Sequence, residues 1–198
     1  MKILNLTEDS NIYTSNVFLI MGTWNTIDDI TTLVDVGSDE LIIKKIEAIN
    51  TGLGKRKIDQ VILTHSHSDH AALLPIIKET FHPRVCAFNS HLKGIDQILR
   101  DGDTIRIGEQ FFEVFHITAH SYDSICLFGD QEGILFAGDT SFPIEFENEV
   151  LTNENEQVLS RLREKTIKIV YYGHGPFHTY TNLNFPLIKN KENGYINR

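Results

Sequence analysis

Residues Thr64 to His70 read T-H-S-H-S-D-H, which places three imidazoles and one carboxylate in seven positions. Val61, Ile62 and Leu63, just before them, are apolar and mostly β-branched, the pattern of a strand buried on both faces. Ligand-type side chains therefore sit where a buried strand passes into a loop, a place where a rigid scaffold holds function still. The arrangement recurs downstream at Ala119-His120-Ser121, Ala137-Gly138-Asp139-Thr140 and Gly173-His174-Gly175. The four stretches supply His65, His67, Asp69, His70, His120, Asp139 and His174. Imidazole and carboxylate are ligands suited to Zn, Fe or Mn. One tetrahedral ion takes about four of them. The set is too large for one ion, and two ions sharing a bridging carboxylate would use all of it.

Spacing adds to this. In extended backbone, His65 and His67 point the same way. Asp69 and His70 then turn toward a second site as the chain leaves the strand. Glycines beside Asp139 and His174 permit tight turns close to an ion. Separate polar loop residues, each bonded locally, are the competing reading for any one position, and the recurrence at strand ends argues against it. The other histidines stand apart: His82 precedes Pro83, His91 lies in a polar stretch, and His116 falls inside a strand. His178, close to His174, is a candidate for the pocket mouth.

These loops need a scaffold. At 198 residues, 41% of them apolar and 10% aromatic, the chain suits one soluble domain with a sizeable core. A net charge of −9 argues against nucleic acid as a partner. The basic triplet Lys55-Arg56-Lys57 reads as a solvated loop. No signal peptide or membrane span is visible. Cys86 and Cys126 lie in apolar runs and form no C-x-x-C pair, which fits buried thiols in a reducing cytoplasm.

Strands are expected at Lys2 to Leu6, Ile12-Tyr13, Asn16 to Met21, Ile30 to Val36, Arg84 to Phe88, Thr104 to Gly108, Phe111 to Thr118 and Ile167 to Tyr172. Ile125 to Phe128 and Ile134 to Ala137 flank a hairpin turn at Asp130 to Gly133. One helix is expected from an N-cap at Ser38, with Ile42, Ile46, Ile49 and Leu53 on its buried face and Gly52 or Gly54 at its end. A second has Pro75 at its first position and runs to about Phe81. A third, capped by Thr152, buries Val158, Leu159 and Leu162. Residues 1–188 form the domain and 189–198 a polar tail. Strands with recurrent helices indicate a layered α/β fold, two sheets inside and helices outside.

The chain resembles the metallo-β-lactamase superfamily, and within it the glyoxalase-II-like hydrolase branch. The resemblance runs from about Asn16 to Pro176. It rests on T-H-S-H-S-D-H, on A-H-S with Ser124 beyond it, on F-A-G-D-T, on Y-G-H-G-P and on L-V-D-V-G. It implies a four-layer αββα sandwich with the metals at one edge. His65, His67 and His120 would hold one ion, and Asp69, His70 and His174 the other. Asp139 would bridge them, and Asp35 would support the ligands from behind. The cofactor implied is two divalent ions, zinc first, with iron or manganese as alternatives.

That machinery would cleave a small ester, thioester or lactone by metal-bound hydroxide, with Asp69 as the catalytic residue that would orient the nucleophile and pass a proton to the leaving group. Other branches fit less well. The main zinc β-lactamases lack the second His and carry Cys in place of Asp139. The tRNA-processing branch needs an RNA-binding surface. Flavodiiron proteins usually carry Glu in place of His67 and add a flavodoxin domain. True glyoxalase II adds a helical glutathione-binding domain for which this chain is too short. Two alternatives remain: a mononuclear iron persulfide dioxygenase using His65, His120 and Asp139, and a non-catalytic di-metal or redox module. The chain departs from the family at Ala71-Ala72 and at Ser121-Tyr122-Asp123-Ser124. Tyr122 points into the pocket or packs in the core, and Trp24, Phe142 and Phe177 are candidate pocket walls.

Overall fold

A computed structural model describes residues 1–24, 26–52, 54–144 and 153–180. Alternating apolar side chains build two sheets with three cores. The first sheet holds, in spatial order, β1 (Lys2–Asn5), β2 (Phe18–Met21), β3 (Thr32–Val34), β4 (Gln60–Ile62), β5 (Arg84–Ala87) and β6 (Gln97–Ile98). The second holds β7 (Thr104–Ile107), β8 (Gln110–His116), β9 (Ile125–Gly129), β10 (Ile134–Gly138), β11 (Ile169–Tyr172) and β12 (His178–Thr179), also in chain order across the sheet.

Successive strand residues face opposite sides. Phe18, Ile20, Val34 and Ile62 therefore meet Phe112, Val114, Leu127 and Phe136 in a core between the sheets. Leu19, Met21, Leu33, Val61 and Val85 face outward under α1 (Leu41–Ala48) and α3 (Leu74–Phe81), against Ile42, Ile46, Leu74 and Ile77. On the far side Phe115, Cys126, Phe128, Leu135 and Val170 pack under Val158, Leu159 and Leu162 of α4 (Asn153–Arg163). The result is the expected αββα sandwich.

Topology gathers the ligand loops at one edge. Strands β3, β4, β5 and β6 pair in parallel, as do β10 and β11, so their C-terminal ends coincide. Strand β8 is two antiparallel steps from β10 and ends at that edge too. The sheets are stitched together there: Ile125 N donates to Thr64 O at 2.9 Å and Asn16 N to Gly173 O at 2.6 Å, while Ser15 N donates to Asp69 O at 3.0 Å within the loops of the first sheet.

Local expectations fared unevenly. Pro75 is the second residue of α3, not the first, and the helix ends at Phe81 as expected. Ser38 does not cap α1, because the helix begins at Leu41 with Glu40 in the N-cap position; the Ser38 hydroxyl donates to Tyr13 O at 2.9 Å. The Asp39 carboxylate instead receives Leu41 N at 3.0 Å. Helix α1 stops at Ala48, before Gly52 and Gly54, because Ile49 is already extended. Ile12-Tyr13 forms no strand. The short strands β6 and β12 and the one-turn helix α2 (Ser68–Ala71) were not expected. Leu53, Thr152 and the tail 189–198 lie outside the described residues. Both cysteines are buried and unpaired. Among the described residues, no helix is long and apolar enough to cross a membrane.

Candidate metal centre

The seven donor side chains converge into two neighbouring groups. His65, His67 and His120 form one, and Asp69, His70, Asp139 and His174 the other, with the donor atoms of each group within 4.8 Å of one another. Asp139 stands between them. Its Oδ2 lies 4.0 Å from His65 Nε2, 3.6 Å from His120 Nε2 and 3.6 Å from His174 Nε2, while Oδ1 is 3.1 Å from His70 Nε2. His174 Nε2 also reaches Asp69 Oδ2 at 3.0 Å, and His120 Nε2 lies 3.0 Å from His67 Nδ1.

Local structure explains the aim of each group. His67 is extended and starts α2, whose single turn carries Asp69 and His70 away from His65. Val36 N and Gly37 N both donate to His70 O, which pins that turn to the end of β3. Gly138 has φ +52°, and a Cβ there would strike Thr64, so only glycine lets Asp139 approach the T-H-S-H loop so closely.

Behind the donor side chains, Asp35 works as a two-oxygen acceptor. Oδ1 receives Thr64 N at 2.8 Å, and Oδ2 receives Thr64 Oγ1 and His70 Nδ1, each at 2.8 Å. Since the Thr64 hydroxyl spends its proton on Asp35, it accepts from His65 Nδ1 at 3.1 Å. One carboxylate thus sets the tautomer of one histidine in each group and turns both Nε2 atoms toward Asp139.

The electrostatics ask for a cation. Burial would lower the pKa of His70, but Asp35 and Asp139 outweigh it and raise the value to about 10. Burial and the charge of His70 lower His65 to about 4. Burial would raise Asp139, yet His70, followed by His174 and His65, draws it down to about 2. Burial is also the main cause that lowers His120. His65 Nε2, His70 Nε2 and Asp139 Oδ1 are buried without a hydrogen-bond partner of acceptable geometry. Orphaned buried donors and acceptors are costly. Two ions would satisfy all three atoms, so the donor set fits a metal pair.

The superfamily profile described as Metallo-beta-lactamase superfamily matches residues 12–174. The chain belongs to the metallo-β-lactamase superfamily. Among curated relatives in the superfamily, the hydroxyacylglutathione hydrolase of Chromohalobacter salexigens is 31% identical over 116 residues, spanning 58% of this chain and 44% of that one. The hydroxyacylglutathione hydrolase of Hydrogenovibrio crunogenus is 27% identical over 194 residues, spanning 95% of this chain and 67% of that one. Solved metallo-β-lactamase folds agree: ETHE1 from Myxococcus xanthus superposes with a TM-score of 0.67 at 20% identity, over 90% of this chain and 80% of that one. The BLEG-1 B3 metallo-beta-lactamase does so at 0.59 and 24% identity, over 90% and 93%.

The remaining candidates scatter within this fold. Trp24 follows β2 at the opposite edge and is 87% exposed, so it walls no pocket at the centre. Phe142 packs against the outer core beneath α4. Phe177 lines a cleft of about 500 Å³ with Asn16, Phe18 and Tyr171, which opens beside the His174 loop and not over the histidines. Tyr122 is exposed rather than core, and its hydroxyl meets Asn89 Nδ2 at 2.6 Å. His178 lies in β12 with its ring edge-on to Tyr172, outside both groups. His116 donates from Nε2 to Tyr122 O at 2.7 Å and stacks on Phe88.

One neighbour was missed. The Tyr13 ring stacks on His174 at 5.3 Å and 18°, and the Asp69 carboxylate raises its hydroxyl pKa. Tyr13 falls in the expected strand Ile12-Tyr13, and no motif marks an exposed loop tyrosine as part of a site.

Proposed function

We propose that the chain is a metal-dependent hydrolase with a binuclear centre, cleaving a small ester, thioester or lactone. The observation that carries this is the sharing of Asp139 between two donor groups, with buried donor atoms of both left unpaired. His65, His67 and His120 would hold one ion, and Asp69, His70 and His174 the other, with Asp139 common to both. Zinc suits this set, as do iron and manganese. Bound ions of this kind supply hydroxide at neutral pH, by lowering the pKa of water from about 15.7 to about 7, and polarise the scissile carbonyl.

The protein's part is positioning. Asp35 holds His65 and His70 in one tautomer, so no proton must leave Nε2 before ligation at His65. Asp69 is partly buried at the mouth and keeps an oxygen toward His174, where it can orient a nucleophile and take its proton for the leaving group. No serine or cysteine nucleophile is needed; both cysteines are buried. A thioester is the first substrate to try, because curated relatives are named hydroxyacylglutathione hydrolases. This chain spans 44% and 67% of those two relatives, so the glutathione arm is itself part of the proposal.

The test is elemental analysis of protein purified from its own source, joined to hydrolysis of a hydroxyacyl thioester, an aryl ester and a lactone. Two ions per chain are expected, with hydrolysis lost in Asp139→Ala. One iron per chain with oxygen uptake would give the site to the dioxygenase reading. Metal without turnover of any substrate would leave a binding module.

A further inference from the structure

We propose that Asp123 is a positioning residue that holds His67 and His120 of the first donor group in ligating geometry; this rests on the metal-binding reading above. Asp123 lies three residues beyond His120 and is 2% exposed. Its Oδ1 accepts from Ser121 Oγ at 2.8 Å and its Oδ2 from Asn89 Nδ2 at 3.2 Å, and the Ser66 side chain comes close enough to help hold its pKa down. Ser66 separates His65 from His67, and Ser121 follows His120. One buried carboxylate therefore ties the loop after β8 to the end of β5 and lies against the loop after β4. These are the two loops that bring the first three imidazoles together.

The surroundings need an acceptor and nothing else. A carboxylate offers about four lone-pair sites and no donor, whereas an amide turns one end into a donor. Around Asp123 every named partner donates. The loop is fastened further by Ser121 N to Ser124 Oγ at 3.1 Å, by Ser121 Oγ and Ser124 Oγ at 2.6 Å, and by His116 Nε2 to Tyr122 O at 2.7 Å. Asn89 is itself oriented, since its Oδ1 accepts His91 N at 2.8 Å. A charge buried among neutral donors is an expensive way to staple a loop. It is understandable where two imidazoles must be kept in place before an ion arrives. His67 and His120 are both exposed, the His120 side chain to 30%, and gain from a braced backbone.

The experiment is titration of chelator-stripped protein with cobalt(II), read by visible absorption and by competition with a chromophoric chelator. Asp123→Asn keeps the shape and turns one acceptor into a donor. The expected result is a loss of about 10- to 100-fold in affinity for one ion, the range for residues behind metal ligands, with the other ion held as in the parent. Combined with His120→Ala, it is expected to cause no further loss. A parent chain that takes up no divalent ion overturns the metal-binding reading itself. A parent that binds two ions beside an Asp123→Asn chain that binds both unchanged, or that merely melts earlier without metal, overturns only the role of Asp123. Should Asp123→Asn fail to fold, Ser121→Ala and Ser66→Ala carry the test: each is expected to weaken the same single ion several-fold, and no change in either overturns the proposal.

Discussion

Asp35 and His70 face each other across 2.8 Å, Oδ2 to Nδ1, with both residues buried. Asp35 does this from a left-handed backbone, φ +59°, a conformation that Asp and Asn tolerate and most side chains do not. The charge and the backbone can therefore be tested separately. Asp35→Asn keeps the conformation and removes the charge. It is expected to weaken metal binding by about 10- to 100-fold and to lower stability by about 3 kcal/mol, as for a broken buried pair. Asp35→Ala adds the left-handed strain and is expected to cost about 1 kcal/mol more. Urea unfolding of the metal-free variants measures both, and equal losses would show that the backbone conformation contributes nothing.

The metal-free protein is expected to be most stable near pH 6.5. His65, held at about 4 chiefly by burial, contributes stability that is full above its ordinary 6.5 and lost as pH falls through about 4. Asp139, held at about 2 by His70 against the effect of burial, adds a loss as pH falls from 3.8 toward that value. His70 acts in the opposite sense. Asp35 and Asp139, overcoming burial, raise it to about 10, so its contribution is full below 6.5 and lost as pH rises through about 10. Urea midpoints at pH 5, 6.5 and 9 in the presence of chelator test this, and a flat profile refutes it. With metal restored, the alkaline loss should disappear, because an ion takes the place of the His70 proton.

Much of this site could be read in the chain because its donor side chains follow apolar strands. Val61 to Leu63 and Ile134 to Ala137 are buried by their own composition, and the polar residue after each must emerge at a sheet edge. The sandwich followed for the same reason. Asp123 and Tyr13 escaped notice because their roles depend on what lies opposite them in space. Asp123 sits in a stretch already seen to be unusual, yet Tyr122 drew the attention, as the larger side chain. Ser38 misled because serine is a favoured N-cap, yet the helix starts only at Leu41, with Glu40 in the N-cap position. The end of α1 was placed by its glycines, but Ile49 adopts an extended backbone before either is reached.

The thiols should be silent. Cys126 is fully buried, donates to Ala137 O at 3.5 Å, and is pushed up to about 12 by burial. Burial also raises Cys86. Thiolates are the reactive form, so neither cysteine is expected to react with a disulfide reagent at pH 8 in native protein. Both should react in urea, along the same transition as the loss of secondary structure. Reaction of one thiol before unfolding would reveal local opening of its strand.

Gly173 and Gly175 flank His174 and are glycines for different reasons. A Cβ at Gly173 would stand 2.1 Å from Asp139 Oδ1 and 2.7 Å from His70 Cε1, a collision with the carboxylate shared by both donor groups. A Cβ at Gly175 would meet nothing within 4 Å, but its φ of +75° suits glycine. Gly173→Ala is thus expected to drive Asp139 out of place and abolish uptake of both ions. Gly175→Ala should cost about 1 kcal/mol of stability through backbone strain and leave uptake intact. Metal analysis and urea unfolding of the two variants separate these effects. Full metal content in Gly173→Ala would mean that Asp139 is not held where the two groups meet.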